Sequence, residues 1–294
     1  MNFHRTVLLQ ETIDGLKVVP GEKYIDATLG GGGHTEEILR RGGEVLAIDT
    51  DLDAINYVKG KISSSKLHLA HGNFRDIKNI AIKNRFEKVS GIVFDLGVSS
   101  HQIDSNERGF SYQQNGPLDM RMDSNSPIKA ADLINLLNKN ELSDIFYKFG
   151  EESNSRAISN AIVSARKIGT IQTTNDLVTI IARVYKIPEH RLDQMKRTRI
   201  AKKIFQALRI AVNNELDVLR EALNESSSLF LPKGRLGVIT FHSLEDRIVK
   251  NAFIDFEKRG LGIVVNKKPL LPNRLEMKTN KRSRSAKLRF FEKN

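Results

Sequence analysis

Short apolar runs alternate with amphipathic stretches through the first third of the chain. Runs at 23–29, 44–49, 67–71 and 89–95 have the length and composition of buried strands, and stretches near 34–41, 52–61 and 76–84 carry helical spacing. Strands that alternate with helices predict a parallel, doubly wound α/β sheet with a ligand site at the carboxyl ends of its strands. After Asp95 the alternation stops. Residues 98–127 are rich in Ser, Asn, Gly and Pro, and from Ala130 to about Phe230 the pattern is entirely helical. Helices are expected over 130–138, 140–148, 154–167, 175–186 and 199–224, with Thr174 as N-cap of the fourth. A strand pattern returns at 235–241. A helix then opens at Ser243, where Ser243-Leu244-Glu245-Asp246 approximates a capping box with Asp in the usual Glu position. Runs at 261–267 and 286–291 read as two closing strands. The predicted architecture is an α/β sheet interrupted by an all-helical insertion: 1–109 as the first part of the sheet domain, 110–215 as the insertion, and 216–294 as the second part with a basic tail.

The chemistry concentrates where the first strand ends. Tyr24 to Leu29 runs straight into Gly30-Gly31-Gly32-Gly33-His34, and Glu36-Glu37-Ile38-Leu39 begins a helix. Glycine at a strand-to-helix turn lets backbone approach a ligand and reach positive φ. Asp49 follows at the end of the second apolar run, placed to accept hydrogen bonds from ribose hydroxyls. The layout points to a nucleoside cofactor. It is not the dinucleotide fingerprint, because the sixth position is Thr35 counted from Gly30 and Glu36 counted from Gly31. Asn73-Phe74 and Asp95 also fall at strand ends, so several candidate residues converge on one edge.

Charge brings in a polyanionic partner. The net charge is +12 and the pI about 9.8. Eight of the cations lie between Arg274 and Asn294, against Glu276 and Glu292 alone. A second cluster, Lys196-Arg197-Thr198-Arg199 with Lys202 and Lys203, precedes a long amphipathic helix. The absence of cysteine excludes disulfides, thiolate catalysis and cysteine-ligated metals and fits a reducing, cytoplasmic setting. No apolar run approaches the roughly twenty residues of a membrane span, and Met1 to Arg5 lacks a signal-peptide core.

A strand, a helix and an antiparallel closing pair is how Rossmann-like S-adenosylmethionine-dependent methyltransferases end their sheet; a dehydrogenase would more often add further βα units. The residues also resemble one family. His4-Arg5-Thr6-Val7-Leu8-Leu9, Asp26 to His34, Ala47-Ile48-Asp49, His71-Gly72-Asn73-Phe74, Asp95-Leu96-Gly97-Val98-Ser99-Ser100, Glu107-Arg108-Gly109-Phe110-Ser111, Gly116-Pro117-Leu118-Asp119-Met120-Arg121-Met122-Asp123 and Phe241-His242-Ser243-Leu244-Glu245-Asp246-Arg247-Ile248-Val249-Lys250 are similar to the bacterial MraW family of small-subunit ribosomal RNA (cytosine-N4)-methyltransferases. Four glycines in the turn and His101 depart slightly from the family's usual residues.

The resemblance implies S-adenosylmethionine as cofactor and small-subunit ribosomal RNA, free or in the 30S particle, as partner. Gly32, Gly33 and His34 would hold the methionine part, Asp49 the ribose and Phe74 the adenine, with Asp95 and Gln102 completing the pocket. Asp95 stands where amino-group methyltransferases keep an acceptor, so it serves either the cofactor or the target amine, and Ser99, Ser100 and Asp119 are weaker candidates for the base. No metal is expected, because a sulfonium methyl is already electrophilic. His242 at the end of the returning strand is either a general base or a turn-fixing residue. A methyltransferase for another nucleic-acid amine lacks its usual Asn/Asp-Pro-Pro-Tyr/Phe motif here. A nicotinamide oxidoreductase or an RNA-binding module without catalysis are the competing classes. The oligomeric state, homodimer included, is open.

Overall fold

The computed structural model describes residues 6–99, 102–103 and 105–294. In chain order the elements are α1 (Leu9–Leu16), β1 (Lys23–Asp26), α2 (Gly33–Arg40), β2 (Glu44–Asp49), α3 (Leu52–Lys61), β3 (Leu67–His71), α4 (Ile77–Lys83) and β4 (Val89–Asp95). Helices α5 (Ala130–Leu136), α6 (Lys139–Gly150), α7 (Ser155–Ala165), α8 (Thr174–Val184), α9 (Gln194–Asn213) and α10 (Glu215–Ser226) follow. Then come β5 (Phe230–Thr240), α11 (Ser243–Lys258), β6 (Gly262–Val264), α12 (Arg274–Thr279) and β7 (Lys287–Lys293). The chain divides into two compact units, residues 100–215 and residues 2–99 with 216–294. No described helix is long and apolar enough to cross a membrane.

The sheet unit holds seven strands in the order β3-β2-β1-β4-β5-β7-β6. Strands β1 to β5 run parallel, and β7 lies antiparallel between β5 and β6. The expected α/β sheet with an antiparallel close is therefore present. Consecutive strands step outward one way from β1 and the other way from β4, so the switch point lies between these two strands. Period-2 alternation sends Ile25, Leu46, Ile48, Ile92 and Phe94 to one face, against α4, α10 and α11. Tyr24, Val45, Ala47 and Val93 go to the other, against α1, α2 and α3.

The sequence pattern did not anticipate α1, although Leu9, Ile13 and Leu16 have helical spacing and Ile13 and Leu16 are buried. Two caps sit one residue earlier than expected. Thr173, not Thr174, caps α8, with Asp176 closing the box. His242 and Glu245, not Ser243 and Asp246, form the box of α11. The expected helix 199–224 is two helices, because Asn214 turns left-handed at φ 49 and ends α9. Asn tolerates that conformation at a helix C-terminus.

The 100–215 unit packs α9 on α6 and α8, and α7 on both of those. Its Ser-, Asn- and Gly-rich stretch is irregular but fastened. Arg108 donates to the Arg121 and Met122 carbonyls at 3.1 and 2.8 Å. Asn213 donates to the Met120 carbonyl at 2.9 Å and accepts from the Met122 N–H at 2.8 Å. The basic cluster lies inside α9 rather than ahead of it. Arg197 is tied to Asn175 at 2.9 Å and to the Tyr112 carbonyl, whereas Arg199 and Lys202 are exposed.

Candidate cofactor and acceptor site

The site begins with a buried carboxylate that the sequence reading passed over. Asp26, last residue of β1 and fully enclosed, accepts from the Thr28 N–H at 3.2 Å and from the Thr35 hydroxyl of α2 at 2.7 Å. It straps the glycine turn at both ends. Desolvation pushes its pKa up to about 6, against those hydrogen bonds. The chain leaving β1 keeps bonding to both neighbours, Ala27 N–H to the Val93 carbonyl and Leu29 N–H to the Ile48 carbonyl. Past Leu29 it turns away, and Gly32 at φ 77 caps α2. A side chain on Gly33 would collide with Thr6, so backbone alone fits there.

At the end of β2, Asp49 Oδ2 accepts from the Gly30 N–H at 2.8 Å, and Oδ1 accepts from the Asp51 N–H at 2.9 Å. Each carboxylate oxygen keeps a lone pair for an incoming hydroxyl. Burial raises Asp49 to about 6, with backbone N–H donors opposing. Phe74 opens a single 3₁₀ turn capped by Asn73 and packs edge-on against Phe94, with centroids 5.5 Å apart. Its position follows from Gly72, whose N–H bonds the Asp49 carbonyl at 2.9 Å.

Asp95 ends β4, its N–H held by the Thr28 hydroxyl at 2.6 Å. Its side chain is 24% exposed, yet Oδ1 is enclosed with no hydrogen-bond partner among the described residues. His34 Nδ1 lies 3.9 Å from Oδ2, and His34 Nε2 is likewise enclosed without a partner among those residues. Burial drops the His34 pKa to about 4, so at neutral pH the two are neighbours rather than an ion pair. Asp95 is raised to about 7, first by desolvation and then by Asp26 and Glu245, against the lowering pull of Arg282. Unpaired buried polar atoms are rare, because each forfeits its solvation without a return. Those at His34 and Asp95 fit a polar ligand seated between the glycine turn and the β4 end.

The structure thus brings Gly32, Gly33, His34, Asp49, Phe74 and Asp95 to the carboxyl edge of one sheet. Gln102 is buried and belongs to the 100–215 unit. His4, Arg5, Ser100 and His101 lie outside the described residues. Asp119 is committed to Arg121, which grips it through Nε and Nη2 at 2.7 and 2.8 Å, with the pKa lowered in consequence. That carboxylate is a loop fastener. His242 proves to be the turn-fixing residue: Nδ1 accepts from the Glu245 N–H at 3.3 Å, while Glu245 accepts from the Phe241 and His242 N–H groups. Asp26, Thr28 and Thr35 were missed as site builders. Their signal was the acid directly before the turn and the threonines flanking it.

The model of the MraW methylase family matches residues 1–294, the whole chain. This chain belongs to the MraW methylase family. Two curated relatives, both named ribosomal RNA small subunit methyltransferase H, match it over nearly their full lengths. The protein of Brevibacillus brevis is 43% identical over 100% of this chain and 99% of its own. That of Fusobacterium nucleatum is 42% identical over 99% and 97%. Among solved structures, an rRNA methylase of Streptococcus thermophilus aligns over 99% of both chains at a TM-score of 0.47 and 11% identity. A candidate methyltransferase of Streptococcus mutans, solved in complex with SAH, aligns at 0.45 and 13%. As a MraW methylase the chain is an S-adenosylmethionine-dependent methyltransferase, and His34 Nε2 and Asp95 Oδ1, without partners among the described residues, are chemically suited to that cofactor.

Proposed function

We propose that this protein methylates the exocyclic N4 amine of one cytosine in small-subunit ribosomal RNA. The full-length similarity to two relatives named for that subunit supports the RNA substrate, and the motif resemblance to cytosine-N4 methyltransferases supports the acceptor atom. S-adenosylmethionine supplies a methyl group already activated as a sulfonium. Gly32, Gly33 and His34 hold its amino-acid end, where backbone N–H groups at the start of α2 suit a carboxylate. Asp49 accepts from the ribose hydroxyls, and Phe74 flanks the adenine.

The harder partner is the nucleophile, since a cytosine amine has its lone pair delocalised into the ring. An acceptor aimed at the amino hydrogens pulls that nitrogen towards tetrahedral geometry, and Asp95 Oδ1 has no hydrogen-bond partner among the described residues. Orientation of the two reactants supplies much of the rest, an effect that can reach roughly 7–11 kcal/mol. Residues 110–215 recognise the substrate with the exposed cations of α9, in the cytoplasm where ribosomal particles assemble. A cytosine must leave its stack first, so irregular RNA in a partly or fully assembled 30S particle is the preferred substrate.

The purified protein, tritiated S-adenosylmethionine and small subunits from a strain lacking the gene provide the test. Label recovered as N4-methylcytidine is expected. Label at cytosine C5, at a ribose 2′-hydroxyl or on protein would overturn the proposal.

A further inference from the structure

The basic C-terminal stretch reads in the sequence as a phosphate-holding tail, but the fold uses much of it otherwise. Strand β7 lies antiparallel to β5, with Lys287 opposite Thr240, while Asp95 of β4 pairs with Ile239. The residues just before β7 therefore sit at the carboxyl edge of the sheet, beside the end of β5 and one strand over from the end of β4. They form a 3₁₀ turn, Lys281–Ser285, fixed by buried Asn280 and Ser283, whose hydroxyl bonds the Asn280 carbonyl at 2.8 Å. The following strand is clamped as well, since Arg289 and Lys287 both pair with Asp246 of α11 at 2.7 and 3.2 Å. From this fixed turn the half-buried Arg282 donates to the Val98 carbonyl in the loop that follows Asp95.

We propose that Arg282 is a positioning residue for the Asp95 acceptor. It pins the Leu96-Gly97-Val98 loop and sets a permanent positive charge beside the carboxylate, which makes the C-terminal segment a built part of the reaction centre.

The surroundings of Asp95 leave Arg282 a distinct part to play. Facing it are Asp26 from the end of β1, Glu245 from α11, His34 from α2 and the Thr28 hydroxyl. The two carboxylates disfavour its ionised form, and His34 is neutral at working pH. Arg282 supplies the opposing charge. An arginine suits this place because it stays charged when desolvated and its planar fork spends one N–H on a carbonyl while the charge acts on a neighbour. The inference rests on Asp95 as acceptor for the amine, which needs the ionised form.

Titration of the aspartate carboxyl carbons by NMR reads the effect without substrate, with the Asp95 signal assigned by its loss in Asp95→Asn. The wild-type midpoint should lie near 7. Arg282→Gln should raise it by about one pH unit, the lower end of what an opposite charge at close range produces. Arg282→Met, which keeps the apolar stem, should do the same if the amide unsettles the turn. The acidic limb of the methyl-transfer rate should move upward with the midpoint. An unmoved midpoint, or a rate lowered equally at every pH, would overturn the positioning role. If instead Asp95→Asn kept the wild-type rate and limb, the acceptor reading would fail, while the NMR midpoint would still decide what Arg282 does to Asp95.

Discussion

Asp49 and Gly30 are joined by a 2.8 Å hydrogen bond from the glycine N–H to the carboxylate Oδ2. The residue proposed to hold the ribose therefore also holds the glycine turn, so cofactor binding and loop shape depend on one side chain.

Asp49→Ala should weaken S-adenosylmethionine by about 2–3 kcal/mol, the scale of charge-assisted hydrogen bonds. Asp49→Asn should be nearly as harmful, because both oxygens already accept from backbone N–H groups and an amide nitrogen cannot. Calorimetric affinity of either variant within twofold of wild type would remove the ribose assignment.

Asp26 couples stability to pH. Its pKa is raised to about 6 by burial, so its stabilising contribution is complete below its ordinary range and is lost as pH climbs through 6. Asp26→Asn can still accept from the Thr28 N–H and can donate to the Thr35 hydroxyl. Between pH 4 and pH 8 its unfolding free energy should gain on wild type by on the order of 3 kcal/mol, the linkage expected of a carboxyl that folding makes so much harder to ionise. Urea midpoints at the two pH values check this; parallel curves for the two proteins would contradict it.

His242 should matter to the fold and little to the chemistry. His242→Ala deletes the cap of α11 and should cost about 1 kcal/mol, while His242→Asn keeps a capping acceptor and should stay close to wild type. Thermal melts measure both. A hundredfold fall in methyl transfer for His242→Asn, with cofactor affinity intact, would restore a catalytic role.

The cations of α9 should divide by exposure. Replacing Arg199 and Lys202 with Ser should reduce the salt slope of RNA binding by about 0.7 per lost phosphate contact and leave S-adenosylmethionine affinity unchanged. Arg197→Ser should instead lower stability, because Arg197 fastens Asn175 and the Tyr112 carbonyl. An unchanged slope in the double variant would make that face solvated surface only.

The period of apolar residues determined the strands at 44–49, 67–71 and 89–95 and the helices between them, because a buried sheet face and a helix stripe each impose a repeat on neighbouring positions. The glycines after β1 and the acid after β2 marked the ligand edge for the same local reason: backbone that bends and carboxylates that end strands leave a signature in adjacent letters. Caps were legible only to within a residue, since Thr173 and Thr174 are equally good acceptors in isolation and packing selects between them. Asn214 divided a helix whose apolar pattern continues across it. What no local pattern could give was the meeting of distant charges. Whether Asp119 is free or gripped by Arg121, whether His242 faces a substrate or caps a helix, and whether Arg282 belongs to a loose tail or to Asp95 all depend on chain returning to the sheet. The slot of β7 between β5 and β6 settles the last of these, because strand pairing fixes position through backbone hydrogen bonds that carry no residue type.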